Sequence, residues 1–200
     1  MAPPTTTALD RQLRDGAPKP RPTPLDALRV ARRAFLEGRR VDVTAVAAEL
    51  GVSRVTVHRW VGSRERLLAE VLWGLTQETL ALEARRTRAR GGRRVAAIVG
   101  GFIDDLLVHP GMQRFLEEEG EFAMRLVTRG DGGFQPRLVG AFADLLRDAQ
   151  ATSDFRPGMD VDELALALVR VAETYVHRRL ITGEVAEPGS AMPLLRLILR

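Results

Sequence analysis

The chain has no cysteine, which excludes disulfides, thiolate metal sites and a cysteine nucleophile together. It is poor in aromatic residues, 5% against 45% hydrophobic residues in all, so a core must be built mainly from aliphatic side chains. Lysine occurs once, at Lys19, and nearly all positive charge is therefore guanidinium. The longest apolar run, residues 95–103, is about half of the ~20 residues that a membrane span needs. The N-terminus lacks the apolar centre of a signal peptide, so a cytoplasmic protein with no membrane partner is expected. Catalytic signatures are also missing: there is no G-x-S-x-G, no phosphate loop and no dinucleotide fingerprint. His58, His109 and His177 stand far apart, none at metal-ligand spacing from another. The acidic run Glu117, Glu118, Glu119 with Glu121 would fan around a helix, which favours a solvated surface over a metal or acid–base site. Neither an enzyme nor a cofactor or metal is expected.

Charge is unevenly distributed. Residues 1–94 hold 19 Lys+Arg against 10 Asp+Glu, whereas residues 95–200 hold 11 against 16. A basic front and an acidic back fit a chain of which one part meets phosphate and the other does not. Residues 1–22 carry five of the eleven prolines and no apolar period, and are expected to form a flexible arm bearing Arg11, Arg14, Lys19 and Arg21. Thr23-Pro24-Leu25-Asp26 is a helix start: a threonine cap, proline at the first helical position and an acid in the first turn. The helix it opens should run over residues 24–37 and end at Gly38.

The most informative stretch is VTAVAAELGVSRVTVHRWVGSRERLL, residues 43–68. Its first helix, Val43–Leu50, is capped by Asp42 and turns inward through Val46, Ala47 and Leu50. Gly51 then allows a positive φ, Val52 can plug the angle, and Ser53 can cap the second helix, Arg54–Val61. In that helix Val57 and Val61 face inward, leaving Arg54, Val55, Thr56, His58, Arg59 and Trp60 outside. Such a short, capped, donor-rich helix suits the major groove of duplex DNA.

These residues resemble the helix-turn-helix of the TetR family of bacterial transcriptional regulators. The family signature is a helix ending AA-x-x-GVS, a recognition helix T-[LV]-[YH]-x-[YHW]-[FV] and a [SN]-[KR] start to a fourth helix, here AAELGVS, TVHRWV and SR. His58 and Val61 stand where the commonest version has tyrosine and phenylalanine. The pattern RPTPLDALR, RWVGSRE and EVLW is also similar to the branch that includes regulators of quorum-signal lactone degradation. The resemblance implies an all-α protein with a DNA-binding domain over residues 23–72 and a ligand-binding and dimerisation domain over residues 73–200. It further implies that Thr44, Thr56, His58 and Arg64 bond phosphates, that Arg54, Val55 and Arg59 face base edges, and that Trp60 touches backbone or sugar, with Ser53 at the cap beside them. Double-stranded operator DNA, a second copy of the chain and a small apolar or amphipathic effector are the partners it implies, with repression the expected mode.

The rest reads as helices by period and punctuation. The fourth helix should run from Ser63 to about Arg90, broken by Gly91-Gly92. Residues 93–108, 112–119, 121–128, 136–150 and 161–182 follow, with a loop over 129–136 and a final apolar turn over 190–200. The helix at 161–182 has one row of Leu164, Leu168, Val171 and Tyr175 and another of Ala165, Val169, Ala172 and Val176. Two rows suggest burial on two sides. With Leu138, Ala141, Phe142 and Leu145 before it, the expected dimer interface adds Leu164, Leu168 and Val171. Large or aromatic residues on inward stripes, Trp73, Phe102, Leu106, Phe115, Phe122, Met124 and Tyr175, are the expected effector contacts. The competing readings are a helical protein-interaction module, or an enzyme, with an idle helix-turn-helix.

Overall fold

The computed structural model describes residues 21–131 and 133–200, and the described residues are helical with no strand. The expected arm, with Arg11, Arg14 and Lys19, lies outside them apart from its last two residues. Ten helices are described: α1 Pro24–Leu36, α2 Val43–Leu50, α3 Arg54–Val61, α4 Arg64–Arg86, α5 Gly91–Val108, α6 Pro110–Thr128, α7 Phe134–Thr152, α8 Val161–Val176, α9 Arg178–Thr182 and α10 Met192–Ile198.

The N-terminal three helices form as their caps dictate. Thr23 and Asp26 make a reciprocal capping box: the Asp26 carboxylate accepts from the Thr23 amide at 2.8 Å, and the Asp26 amide donates to Thr23 Oγ1. Val30, Ala31, Ala34 and Phe35 of α1 then pack on Val46 and Ala47 of α2 and on Val57 of α3. Helix α4 is 23 residues long, about 34 Å at 1.5 Å per residue, and runs from this unit into the rest of the chain. Leu67, Leu68, Val71 and Leu72 bury its first half; Thr76, Leu80 and Glu83 bury the second.

Three expectations about breaks are corrected. The chain leaves the helix at Thr87, and Gly91-Gly92 opens α5 instead of ending α4. The glycines are there for close approach: a Cβ on Gly92 would collide with the Leu199 carbonyl and the Phe155 ring. The expected division between 112–119 and 121–128 is present: α6 consists of two helical pieces that meet at a kink, where Glu119 leaves helical geometry (φ −137°, ψ 34°) one residue before Gly120. The loop after α6 is shorter than expected, because α7 begins at Phe134, ahead of Pro136. The long helix expected over 161–182 breaks at His177 into α8 and α9.

Helices α5, α7 and α8 make the second core around Val99, Phe102, Phe142, Leu146, Leu164 and Leu168. Phe102 and Phe142 meet edge to face with centroids 6.0 Å apart. No single helix among the described residues is long and apolar enough to cross a membrane.

Candidate nucleic-acid interface and interior cavity

The helix-turn-helix is set by backbone chemistry at its corner. Asp42 accepts from the Thr44 and Ala45 amides at 2.8 and 3.0 Å, and these bonds, the Ala45 one foremost, hold its carboxyl below the usual carboxylate range. Gly51 sits at φ +66°, and the amide of Val52 donates back to the Ala47 carbonyl at 3.0 Å. Ser53 then caps α3: its Oγ accepts from the Thr56 amide at 3.1 Å and lies 2.9 Å from Thr56 Oγ1.

Val57, fully buried, anchors α3 to the core. Arg54, Val55 and Arg59 are exposed, as are Ser53 and Thr44 on the rim; Val55 is 76% exposed, far more than an apolar residue with a packing role. Thr56, His58 and Trp60 are half-buried, and Trp60 leans on the core. The His58 ring is engaged on both nitrogens. Nδ1 lies 3.2 Å from the Gly62 carbonyl, and Nε2 accepts from Arg54 Nε at 3.4 Å. With Nδ1 as donor and Nε2 as acceptor, His58 steadies the exit of α3 and the base of the Arg54 side chain.

Arg64 differs most from its expected role as a phosphate clamp. Its Nε donates to the Val41 carbonyl and its Nη2 to Glu119, both at 2.6 Å, and the guanidinium lies 4.9 Å from the centre of the Phe122 ring. Only 21% of the side chain is exposed. Arg64 therefore ties the bend in α6 to Val41, two residues before α2. The acidic run that holds Glu119 is divided among neighbours: Glu117 pairs with Arg179, Glu118 with Arg114, and Glu119 with Arg64 and Arg40.

Between α4, α5, α6, α7 and α8 lies an apolar cavity of about 250 Å³. Of the seven expected contacts, Phe102, Leu106 and Phe115 line it. Trp73, Phe122, Met124 and Tyr175 do not. Trp73 packs edge to face on Phe134 beneath the Arg137 guanidinium, and Phe122 lies between Phe115 and Arg64. Met124 is half-buried one residue beyond the cavity-lining Ala123, and Tyr175 faces an outer groove with Arg170, Val171 and Arg178. Choosing the largest side chains selected filled space. The void exists where Ala123 and Ala172 leave room.

Sequence reasoning also missed the polar lining of this cavity, Thr76, Thr79, Asp105, His109, Glu173 and His177. Its signal was present. Ala165, Val169, Glu173 and His177 follow one another every fourth residue, so a polar pair continues an apolar row of α8. His177 is 3% exposed, and burial pushes its imidazole below the ordinary histidine range. Phe35 of α1 reaches the same cavity, stacking on His109 at 6.1 Å, so the DNA-binding unit forms part of the wall. Close approach of α1 and α6 requires Gly111, where a Cβ would strike the Phe35 carbonyl.

The expected dimer interface is corrected in part. Leu138, Phe142, Leu164 and Leu168 are at most 5% exposed within one chain, and so cannot face a partner. Both rows of α8 serve the chain's own core because Leu164, Ala165, Leu168, Val169 and Ala172 all lie on one wide buried arc. Ala141, Leu145 and Val171 remain half-buried, and Leu166 is exposed.

No curated protein sequence matches the chain. The solved structure of the transcriptional repressor QsdR of the TetR family from R. erythropolis superposes with a TM-score of 0.79 at 24% identity, covering 89% of this chain and 96% of that one. A structure of the transcriptional regulator FadR from Bacillus subtilis, in complex with stearoyl-CoA, superposes with a TM-score of 0.59 at 11% identity, covering 88% and 97%. At these identities the likeness is one of fold. The model of the tetracyclin repressor-like C-terminal domain matches residues 90–200, more than half of the chain. With a helix-turn-helix in front of that domain, the chain belongs to the TetR family of DNA-binding transcriptional regulators.

Proposed function

We propose that the protein is a repressor that grips a near-palindromic operator as a homodimer and releases it when a small apolar or amphipathic effector enters the cavity. The observation that carries this reading is the outward triad of Arg54, Val55 and Arg59 on a helix anchored by the fully buried Val57. A guanidinium can donate two bonds to guanine O6 and N7, and Val55 can cover a thymine methyl. Thr44 and Thr56 on the rim suit phosphate oxygens, and Trp60 suits backbone or sugar. Arg64, spent on Val41 and Glu119, is left out of the contact set.

Dimerisation would place two copies of α3 about 34–36 Å apart, the spacing of successive major grooves. The surface parts of α7 and α8 around Ala141, Leu145, Leu166 and Val171 are the apolar candidates for the pairing. Two features support coupling between effector and operator. Phe35 of α1 belongs to the cavity wall, and Arg64 at the start of α4 joins the bend of α6, through Glu119, to the segment before α2, through Val41. The effector needs only to bind the released state more tightly than the DNA-bound one.

The test is selection of bound fragments from genomic DNA, followed by footprinting. A two-fold symmetric protected site, lost on adding an effector suggested by neighbouring genes, is expected. Asymmetric protection, or protection that effector candidates strengthen, contradicts the reading.

A further inference from the structure

The ionised side chains that line the cavity are of one sign. Among the described residues no lysine or arginine lines it, whereas Asp105 and Glu173 do. Glu173 divides its two oxygens. Oε2 accepts from Arg170 at 2.6 Å on the outer side of α8, while Oε1 is buried without any hydrogen-bond partner among the described residues. The Glu173 side chain is only 13% exposed, so solvent does not replace the missing donor. A buried carboxylate oxygen left without a donor is costly, and native proteins rarely keep one without a use.

The two histidines complete the pattern. His177 lies one turn on from Glu173, and its Nδ1 sits 2.9 Å from the Glu173 carbonyl. A carbonyl can only accept, so Nδ1 carries the hydrogen and Nε2 of the neutral ring is an acceptor. His109 has the opposite tautomer: its Nδ1 accepts from the Met112 amide at 3.2 Å, leaving Nε2–H as a donor. Acceptors thus outweigh donors, and the two charged groups are both negative.

We infer that this cavity, on the reading that it is the effector site, takes an amphipathic molecule with an apolar tail and an amine head, the head donating to Glu173 Oε1 beside Asp105. A carboxylate or phosphate head is refused. It would meet Asp105 and the unpartnered oxygen of Glu173, whose one ion pair, to Arg170, lies on the outer side of α8, in surroundings that exclude water. An alcohol of the same length supplies a single uncharged donor and ranks between.

The experiment uses the full chain and three probes of equal length, octylamine, octanol and octanoate, titrated calorimetrically at pH 7. Octylamine should bind about 10- to 100-fold more tightly than octanoate, the range expected of a charge-assisted bond against its absence. Glu173→Gln should erase most of that preference while leaving octanol binding nearly unchanged. Octanoate binding as tightly as octylamine in the wild type overturns the inference, whatever the variant does. An unchanged amine preference in a folded Glu173→Gln protein overturns it as well. Release of selected operator DNA is scored separately with the same probes. Amine binding without release contradicts the effector reading but keeps the head-group assignment. Release by octanoate alone does the reverse.

Discussion

The outer face of α3 and the cavity behind α5 are built from opposite materials. On α3, Arg54 and Arg59 stand exposed around Val55, with hydroxyl groups on the rim and no carboxylate in the helix. The cavity is lined mainly by apolar side chains with Asp105 and Glu173 among them, and no arginine of the described residues lines it although arginine abounds in the chain. One surface suits a polyanion; the other suits a body with no negative charge. The contrast separates two partners by the sign of charge alone, so neither site competes for the ligand of the other.

This separation can be broken by substitutions that act on one side only. Phe102 is 2% exposed and lines the cavity, so Phe102→Ala should cost about 3–5 kcal/mol of folding stability. Denaturant titration measures that cost, and unchanged DNA affinity of the folded fraction keeps the two sites distinct. Conversely, Arg54→Ala or Arg59→Ala should cost about 1–3 kcal/mol on a cognate duplex and blur sequence preference. Stability should stay within about 0.5 kcal/mol, since both side chains lie on the surface. Fluorescence anisotropy on cognate and scrambled duplexes checks the first part. Equal losses on both duplexes would mean that these arginines bind phosphate and read no bases.

Arg64 sharpens the boundary between the two regions. Because it is bonded to Val41 and Glu119, Arg64→Ala should leave the salt dependence of DNA binding unchanged. It should lower stability by about 1–2 kcal/mol, with some solvent screening of the pair. A salt slope flatter by about one unit would restore the phosphate-clamp role.

His177 gives the smallest effect, a pH dependence. Its folded pKa lies below the unfolded value because of burial, so the unfolded chain takes up the proton first. Its contribution is therefore intact above about pH 6.5 and is lost as pH falls toward the lowered folded value. Unfolding curves from pH 7.5 to 5.5 should show this decline, and His177→Gln should flatten it.

How far the fold could be read in advance followed from where the information is local. Helices α1 to α3 were legible to within a residue because Thr23, Asp42, Gly51 and Ser53 act on their immediate neighbours. Of the site residues, those on α3 could be placed by helical period once Val57 was assigned inward. Arg64 could not, since its partners Val41 and Glu119 are 23 and 55 residues away. The cavity was least legible. Its existence depends on small residues such as Ala123 and Ala172, which look in sequence like any other core alanine. The roles of Leu164 and Leu168 were misread for a related reason: a wide apolar arc on a helix does not say whether one chain or two will cover it.

The most direct test of the outward role of α3 exploits the absence of cysteine. Val55→Cys gives a single thiol at the exposed centre of the helix, to which an iron chelate that cleaves DNA can be attached. On a selected operator, cleavage should cluster in two major-groove windows related by two-fold symmetry, about 10–10.5 base pairs apart or a multiple of that. Scattered cuts, or none from a labelled protein that still binds the duplex, would contradict the placement of α3 in the groove.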